Sequence, residues 1–309
     1  MMNNRAVWQG VGILILTAIL LYGSYYLNDW RGRFWEDISK KDTHQLLSLI
    51  IQFSIAAFIC VYSSAAQTWL QSKLSLSLRD TLAKWITIKY LGSSKNLANL
   101  NPDQRIAEDC RLITVNAVNL VSGGIMNLAK AGIFIYVLYS FSGQFFSTPY
   151  TLPLATVVYT VLSVLLVFWV GQMCQLVSLV SEAQSNEANY RTGLIKLEDN
   201  EHGGRFSIMA LQYQILFMRQ KILNIFIGTY DQFSVIAPLL FLIPVYMIQP
   251  TFTFGVLMQV LNAVGELVLS LSFLTNNWST VLETRTCANR LKKLLNALTD
   301  DNIETIVKS

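Results

Sequence analysis

Glu266 lies within the apolar stretch 252–275 and Lys130 within the apolar stretch 112–139. Burial in hydrocarbon disfavours the charged form of either group, which would let a carboxylate or an ammonium trade protons near neutral pH. The same two residues could instead pair and only lock two helices together. Around them run two polar stripes at helical spacing: Gln259, Asn262, Glu266, Ser270 and Asn277 in one stretch, and Asn116, Asn119, Asn127 and Lys130 in the other. Polar groups are costly against lipid, so both stripes are expected to face the inside of a helix bundle. There they would line a wet cavity or hydrogen-bond neighbouring helices.

Other chemistries find little support. The two histidines, His44 and His202, are far apart in the chain, and Cys60, Cys110, Cys174 and Cys287 show no C-x-x-C spacing. No metal site, cofactor or enzymatic reaction is expected. No G-x-x-x-x-G-K-[ST] loop occurs, and "HGG" at 202–204 lacks the Lys and Ser/Thr that hold phosphate and magnesium. These residues are therefore expected not to hydrolyse ATP by themselves. The net charge of +4 gives no case for nucleic-acid binding.

The elements that position these residues follow from composition. The 309 residues are 53% hydrophobic and 14% charged, against about 25% charged in a soluble domain. Six stretches approach the roughly 20 residues that cross a bilayer: 7–27, 46–70, 112–139, 152–173, 223–248 and 252–275. The first is too long for a signal-peptide core and is expected to be retained. Lys and Arg number seven in 72–111, five in 174–224 and five after Asn277, with none in 140–151 or 246–253. The positive-inside rule then places both termini in the cytoplasm. Residues 28–42 fall on the opposite side, where "NDWRGRFWEDI" brings Trp30, Phe34 and Trp35 together as a short amphipathic elbow at the membrane interface.

Several helices should outrun the membrane. No Gly or Pro occurs from Leu46 to Leu91, so a continuous helix there would extend roughly 70 Å. Its second half is amphipathic, with Leu74, Leu78, Leu82 and Trp85 on one face. The segment "NPDQRIAEDCRLI" starts the next helix, with Asn101 as N-cap, Pro102 in the first turn and Gln104 at capping-box spacing. Of its charges, Glu108, Asp109 and Arg111 are expected to form ion pairs that fix a junction of helices two, three and four, with Asp103 and Arg105 belonging to the same structural junction. Cytoplasmic extensions over 71–111, 174–222 and 276–309 complete an all-α membrane domain of the ABC-exporter type. Pro238 and Pro244 should bend the fifth span.

Four motifs spread over most of the chain carry a family resemblance: "NDWRGRFWEDI", "DQRIAEDCR", "EANYRTGLIKLED" and "FGVLMQVLNAVGELVLSLSFLTNNWSTVLETRTCANRL". On these the chain resembles the SbmA/BacA peptide transporters, which share the membrane domain of peroxisomal-type ABC transporters. The resemblance implies a type IV transmembrane fold and a domain-swapped homodimer in a bacterial inner membrane, without an ATP-binding domain. It also implies import of peptides and other bulky solutes, antimicrobial peptides among them, driven by the proton gradient. Proton-relay residues implied in the same way are Glu187, Glu198, Asp199, Asp231 and Glu283, to which Glu266 is added from its position. The family pattern would place an acid near position 180, where this chain has Val180. The competing reading is the membrane subunit of a split ABC transporter served by a separate ATPase.

Overall fold

With neither glycine nor proline to interrupt it, the second apolar segment forms one 49-residue helix, α2 (Thr43–Leu91). The computed structural model describes residues 4–41, 43–92, 102–146, 148–173, 178–180, 182–183, 185–187, 190 and 202–299. Every regular element among them is helical. The expected N-cap Asn101, the side chain of Gln104 and Cys174 lie outside the described residues.

Before α2 comes α1 (Asn4–Lys40), 37 residues long. This corrects the expected elbow: residues 28–40 continue the first helix without a break and form no separate interfacial helix. Protein contacts explain the continuity. The Trp30 indole donates to the Leu49 carbonyl at 2.8 Å, and its ring packs on Phe34 and on Phe53 of α2. Trp35 meets Phe254 edge-on. The three aromatics thus hold the helix end against its neighbours.

A helical turn (Pro102–Gln104) and a five-residue π-helix (Arg105–Asp109) lead into α3 (Cys110–Phe145). Then follow α4 (Thr151–Met173), α5 (His202–Ile248) with Pro238 and Pro244 inside it, and α6 (Phe254–Leu271). A single turn, Phe273–Asn276, separates α6 from α7 (Trp278–Thr299). Among the described residues, five helices are long and apolar enough to cross a membrane, and they contain the expected spans 7–27, 46–70, 112–139 and most of 152–173 and 252–275. The expected span 223–248 falls within α5, where the apolar helical stretch Ile236–Ile248 is shorter.

α6 occupies the centre of this bundle. Its Val260, Ala263, Val264 and Leu267 are buried with Phe134 and Leu138 of α3, Leu152 of α4 and Leu242 of α5. At the other end, Leu291, Leu294 and Leu298 of α7 bury Ile86 of α2 and Cys110. α2 by contrast exposes Leu47, Phe58 and Tyr62 among many apolar side chains, a surface suited to lipid or to another helix.

The start of α6 is tied to the end of α1. The Thr253 hydroxyl accepts from the Val256 amide, and a Glu36 carboxylate oxygen accepts from the Gly255 amide at 3.2 Å, the usual way to satisfy a helix N-terminus. This closeness requires Gly255: a Cβ there would overlap the Gly32 carbonyl oxygen and sit 2.8 Å from Glu36 Cβ. Gly255→Ala must push two backbones apart, a change of the overpacking kind that costs about 1–3 kcal/mol. A lower melting temperature in detergent is expected for it, whereas Gly265→Ala, with no atom within 4 Å of the new Cβ, should not fall.

Candidate functional site

The central helix breaks where the polar stripe continues. Ser272 (φ −82°, ψ 4°) and Asn277 (φ −103°, ψ 20°) both leave helical geometry, so the chain restarts twice between α6 and α7. Non-helical backbone at membrane depth is tolerated where it is buried in protein or faces a wet cavity. A cavity of about 500 Å³ lies beside this break. Its polar lining comes from Tyr213, Gln220 and Asn224 of α5, Thr275 and Asn276 of the turn, and Ser279, Thr280 and Glu283 of α7. Trp278, Phe217 and Val180 supply apolar wall.

One predicted carboxylate lines this cavity and a second is bonded to its wall. Glu283 lines it and accepts a hydrogen bond from the Asn116 side-chain amide of α3 at 2.9 Å. Glu187 accepts a short hydrogen bond from the Tyr213 hydroxyl, which itself lines the cavity. The Thr275 hydroxyl is buried at the wall without a hydrogen-bond partner among the described residues. Hydroxyls, amides and carboxylates in one space can hold water and pass protons between them.

Lys130 and Glu266 form a separate polar layer. The ammonium lies 2.7 Å from the carboxylate, with the side chains 19% and 27% exposed. Neither Lys130 nor Glu266 is among the residues that line the cavity, so the pair and the cavity are distinct. Further ties fasten α6 to α1: Asn262 donates to the buried Asn28 at 2.7 Å, and Gln259 packs against Gly32.

The stripes therefore divide. Asn116, Lys130, Gln259, Asn262 and Glu266 reach other helices, whereas Asn127, Ser270 and Asn277 donate to carbonyls of their own segment, at Gly123, Glu266 and Phe273. Asn119 is exposed. Glu198 and Asp199 lie outside the described residues, as does the side chain of Asp231, whose backbone belongs to α5. The side chains of His44 and His202 lie outside them too. Tyr213, Gln220, Asn224, Thr275, Ser279, Thr280 and Trp278 were not expected at the site.

The charged junction differs from expectation. Arg79 of α2 donates to the Ala107 carbonyl at 3.0 Å, Arg105 donates to the Arg290 carbonyl, and the buried Asp109 lies 3.9 Å from the Arg290 guanidinium. Among the described residues the partner of α2 and the π-helix is α7; the extension of helix four expected here lies largely outside them. Arg111 is exposed and makes no ion pair among the described residues, and Asp103 is exposed as well. The reason is helical phase: Asp109 and Cys110 turn toward α7, which leaves Arg111 outside the contact.

Beside Asp109, burial pushes the Cys287 thiol up to about 12, with the nearby Asp109 charge adding to it. A thiol so placed is mostly unionised and inert. With Cys60, Cys110 and Cys174 replaced by alanine, maleimide at pH 8 should modify folded Cys287 about a thousandfold more slowly than an exposed thiol. Mass spectrometry before and after denaturation checks this.

Long apolar helices beside a cavity with a carboxylate in its wall suit a polytopic membrane protein of the transporter class. The chain belongs to the SbmA/BacA-like family, matched over residues 4–299. It is 27% identical over 245 residues to the inner membrane ABC transporter ATP-binding protein YddA of Escherichia coli strain K12, covering 71% of this chain and 41% of that protein. An ABC transporter ATP-binding protein of Synechocystis sp. is 22% identical over 320 residues, covering 94% and 46%. One from Haemophilus influenzae is 21% identical over 278 residues, covering 81% and 46%. The chain spans less than half the length of these relatives.

Proposed function

We propose that this transporter imports peptides and similarly bulky solutes across a bacterial inner membrane, driven by the proton gradient, with Glu187 and Glu283 exchanging the coupled protons. The observation that carries this reading is the cavity of about 500 Å³ with Glu283 in its wall and Glu187 bonded to Tyr213. Mixed amide, hydroxyl and aromatic lining suits a peptide, whose backbone and side chains need both kinds of partner. Coupling follows if peptide entry and proton transfer share one space. Six spans in a type IV arrangement, with both termini cytoplasmic, would put the cavity on the cytoplasmic half, and a homodimer in which helices cross between copies would enlarge it. No enzymatic step is involved.

The test is proton entry coupled to cargo. In proteoliposomes holding a trapped pH dye, adding a labelled proline-rich peptide outside, under an inward proton gradient, is expected to acidify the lumen. Peptide uptake without any proton entry would contradict the proposal.

A second reading is favoured by the relatives, which are named ATP-binding and are more than twice as long as the matched segment. The same membrane domain would then work with an ATPase, and uptake would require ATP in the presence of that partner.

A further inference from the structure

A second cavity, of about 360 Å³, lies between α1, α2 and α3 and is separate from the transport site. Its walls are Gly10, Ile13 and Leu14 of α1, Leu74 and Leu78 of α2, and Val118, Val121 and Ile125 of α3, with Thr17, Ala117 and Ser122 completing them. The polar groups at its edge are already engaged. Gln67 donates to Thr17 at 2.9 Å and Gln71 to Ser122 at 2.8 Å, while both hydroxyls donate to carbonyls of their own helices. The cleft therefore offers an occupant nothing but hydrocarbon contact.

Its setting selects the occupant. Leu14, Val121 and Ile125 are 53%, 62% and 45% exposed, so the cleft opens sideways, between the apolar segments of α1 and α3 and the first turns of the α2 extension, rather than into the protein. On α2, the Lys73 ammonium lies 3.7 Å from the Trp69 ring centre, one residue before Leu74. An aromatic and a snorkelling cation at that level mark the edge of a bilayer. On α3, Arg111 stands seven residues before Val118, hence on the same face and about two helical turns nearer the polar extension. It is exposed and makes no ion pair among the described residues.

We infer that this cleft binds one acyl chain of an anionic phospholipid from the adjoining leaflet, with the phosphate of its headgroup on Arg111. The apolar walls take the chain, and the exposed Arg111 guanidinium takes the phosphate. The inference is independent of the transport reading.

Native mass spectrometry of the full chain in detergent, with phosphatidylglycerol or phosphatidylcholine of identical chains added, tests it. Phosphatidylglycerol is expected to be retained about fivefold better, the scale of one basic residue near a lipid surface. Arg111→Gln should erase that preference, and Val121→Trp, which fills the mouth of the cleft, should lose both lipids. Both residues are exposed, so the variants should fold. Val161→Trp on the exposed face of α4 serves as the control and should change neither. A preference that survives Arg111→Gln, or retention that survives Val121→Trp, would overturn the inference. So would palmitic acid binding as well as phosphatidylglycerol, or a dimer that Val121→Trp splits, since the occupant would then be a free fatty acid or a second copy.

Discussion

Glu283→Gln is expected to reduce gradient-driven uptake by about a hundredfold or more, the scale on which loss of an acid–base group is felt, while leaving the fold intact. The Gln side chain has the same shape and keeps an oxygen to accept from Asn116, which bonds Glu283 at 2.9 Å. Stability should therefore change by no more than about 1 kcal/mol. What disappears is the proton. Tyr213→Phe removes the hydroxyl that donates to Glu187 but leaves both carboxylates, so its effect on uptake should be smaller. Parallel measurement of uptake and of detergent melting temperature separates the two roles, because a merely structural Glu283 would lower both or neither.

Lys130→Met is expected to be the most destabilising single change in the membrane layer. It leaves Glu266 without its partner at 2.7 Å, and breaking a largely buried pair by removing one member costs about 3–5 kcal/mol. Replacing both, as Lys130→Met with Glu266→Met, removes the uncompensated charge along with its partner. Such replacements are often neutral or stabilising, so the double variant should recover most of the loss. Because the pair does not line the cavity that holds Glu283, the double variant should also transport. A folded double variant that does not transport would give Glu266 a place in the proton path.

Much of the helical layout was legible in the sequence because it rests on local signals. The uninterrupted run at 46–91 and the overhanging helices follow from where glycine and proline are missing and where polarity begins. The pairing of Lys130 with Glu266 was also one of the two readings open to them. The elbow was read as a separate helix because an aromatic cluster does not show whether the preceding helix runs on through it. Trp30 and Trp35 meet Phe53 and Phe254, contacts that depend on how α1, α2 and α6 assemble. The junction erred likewise: charges mark a docking segment, but helical phase decides that Asp109 meets Arg290 and Arg111 stays out. Tyr213 and Trp278 join the cavity only because α5 and α7 meet there, at separations that no spacing rule relates. Gly255 is similar, since a glycine inside a helix gives no sign of the carbonyl lying against it.

The most direct measurement is uptake of a labelled proline-rich peptide into proteoliposomes containing this protein alone, with an inward proton gradient and no ATP. Uptake that requires the gradient, and that Glu283→Gln abolishes, is the predicted result. No uptake until an ATPase and ATP are supplied would contradict proton coupling and assign the chain to an ABC machine.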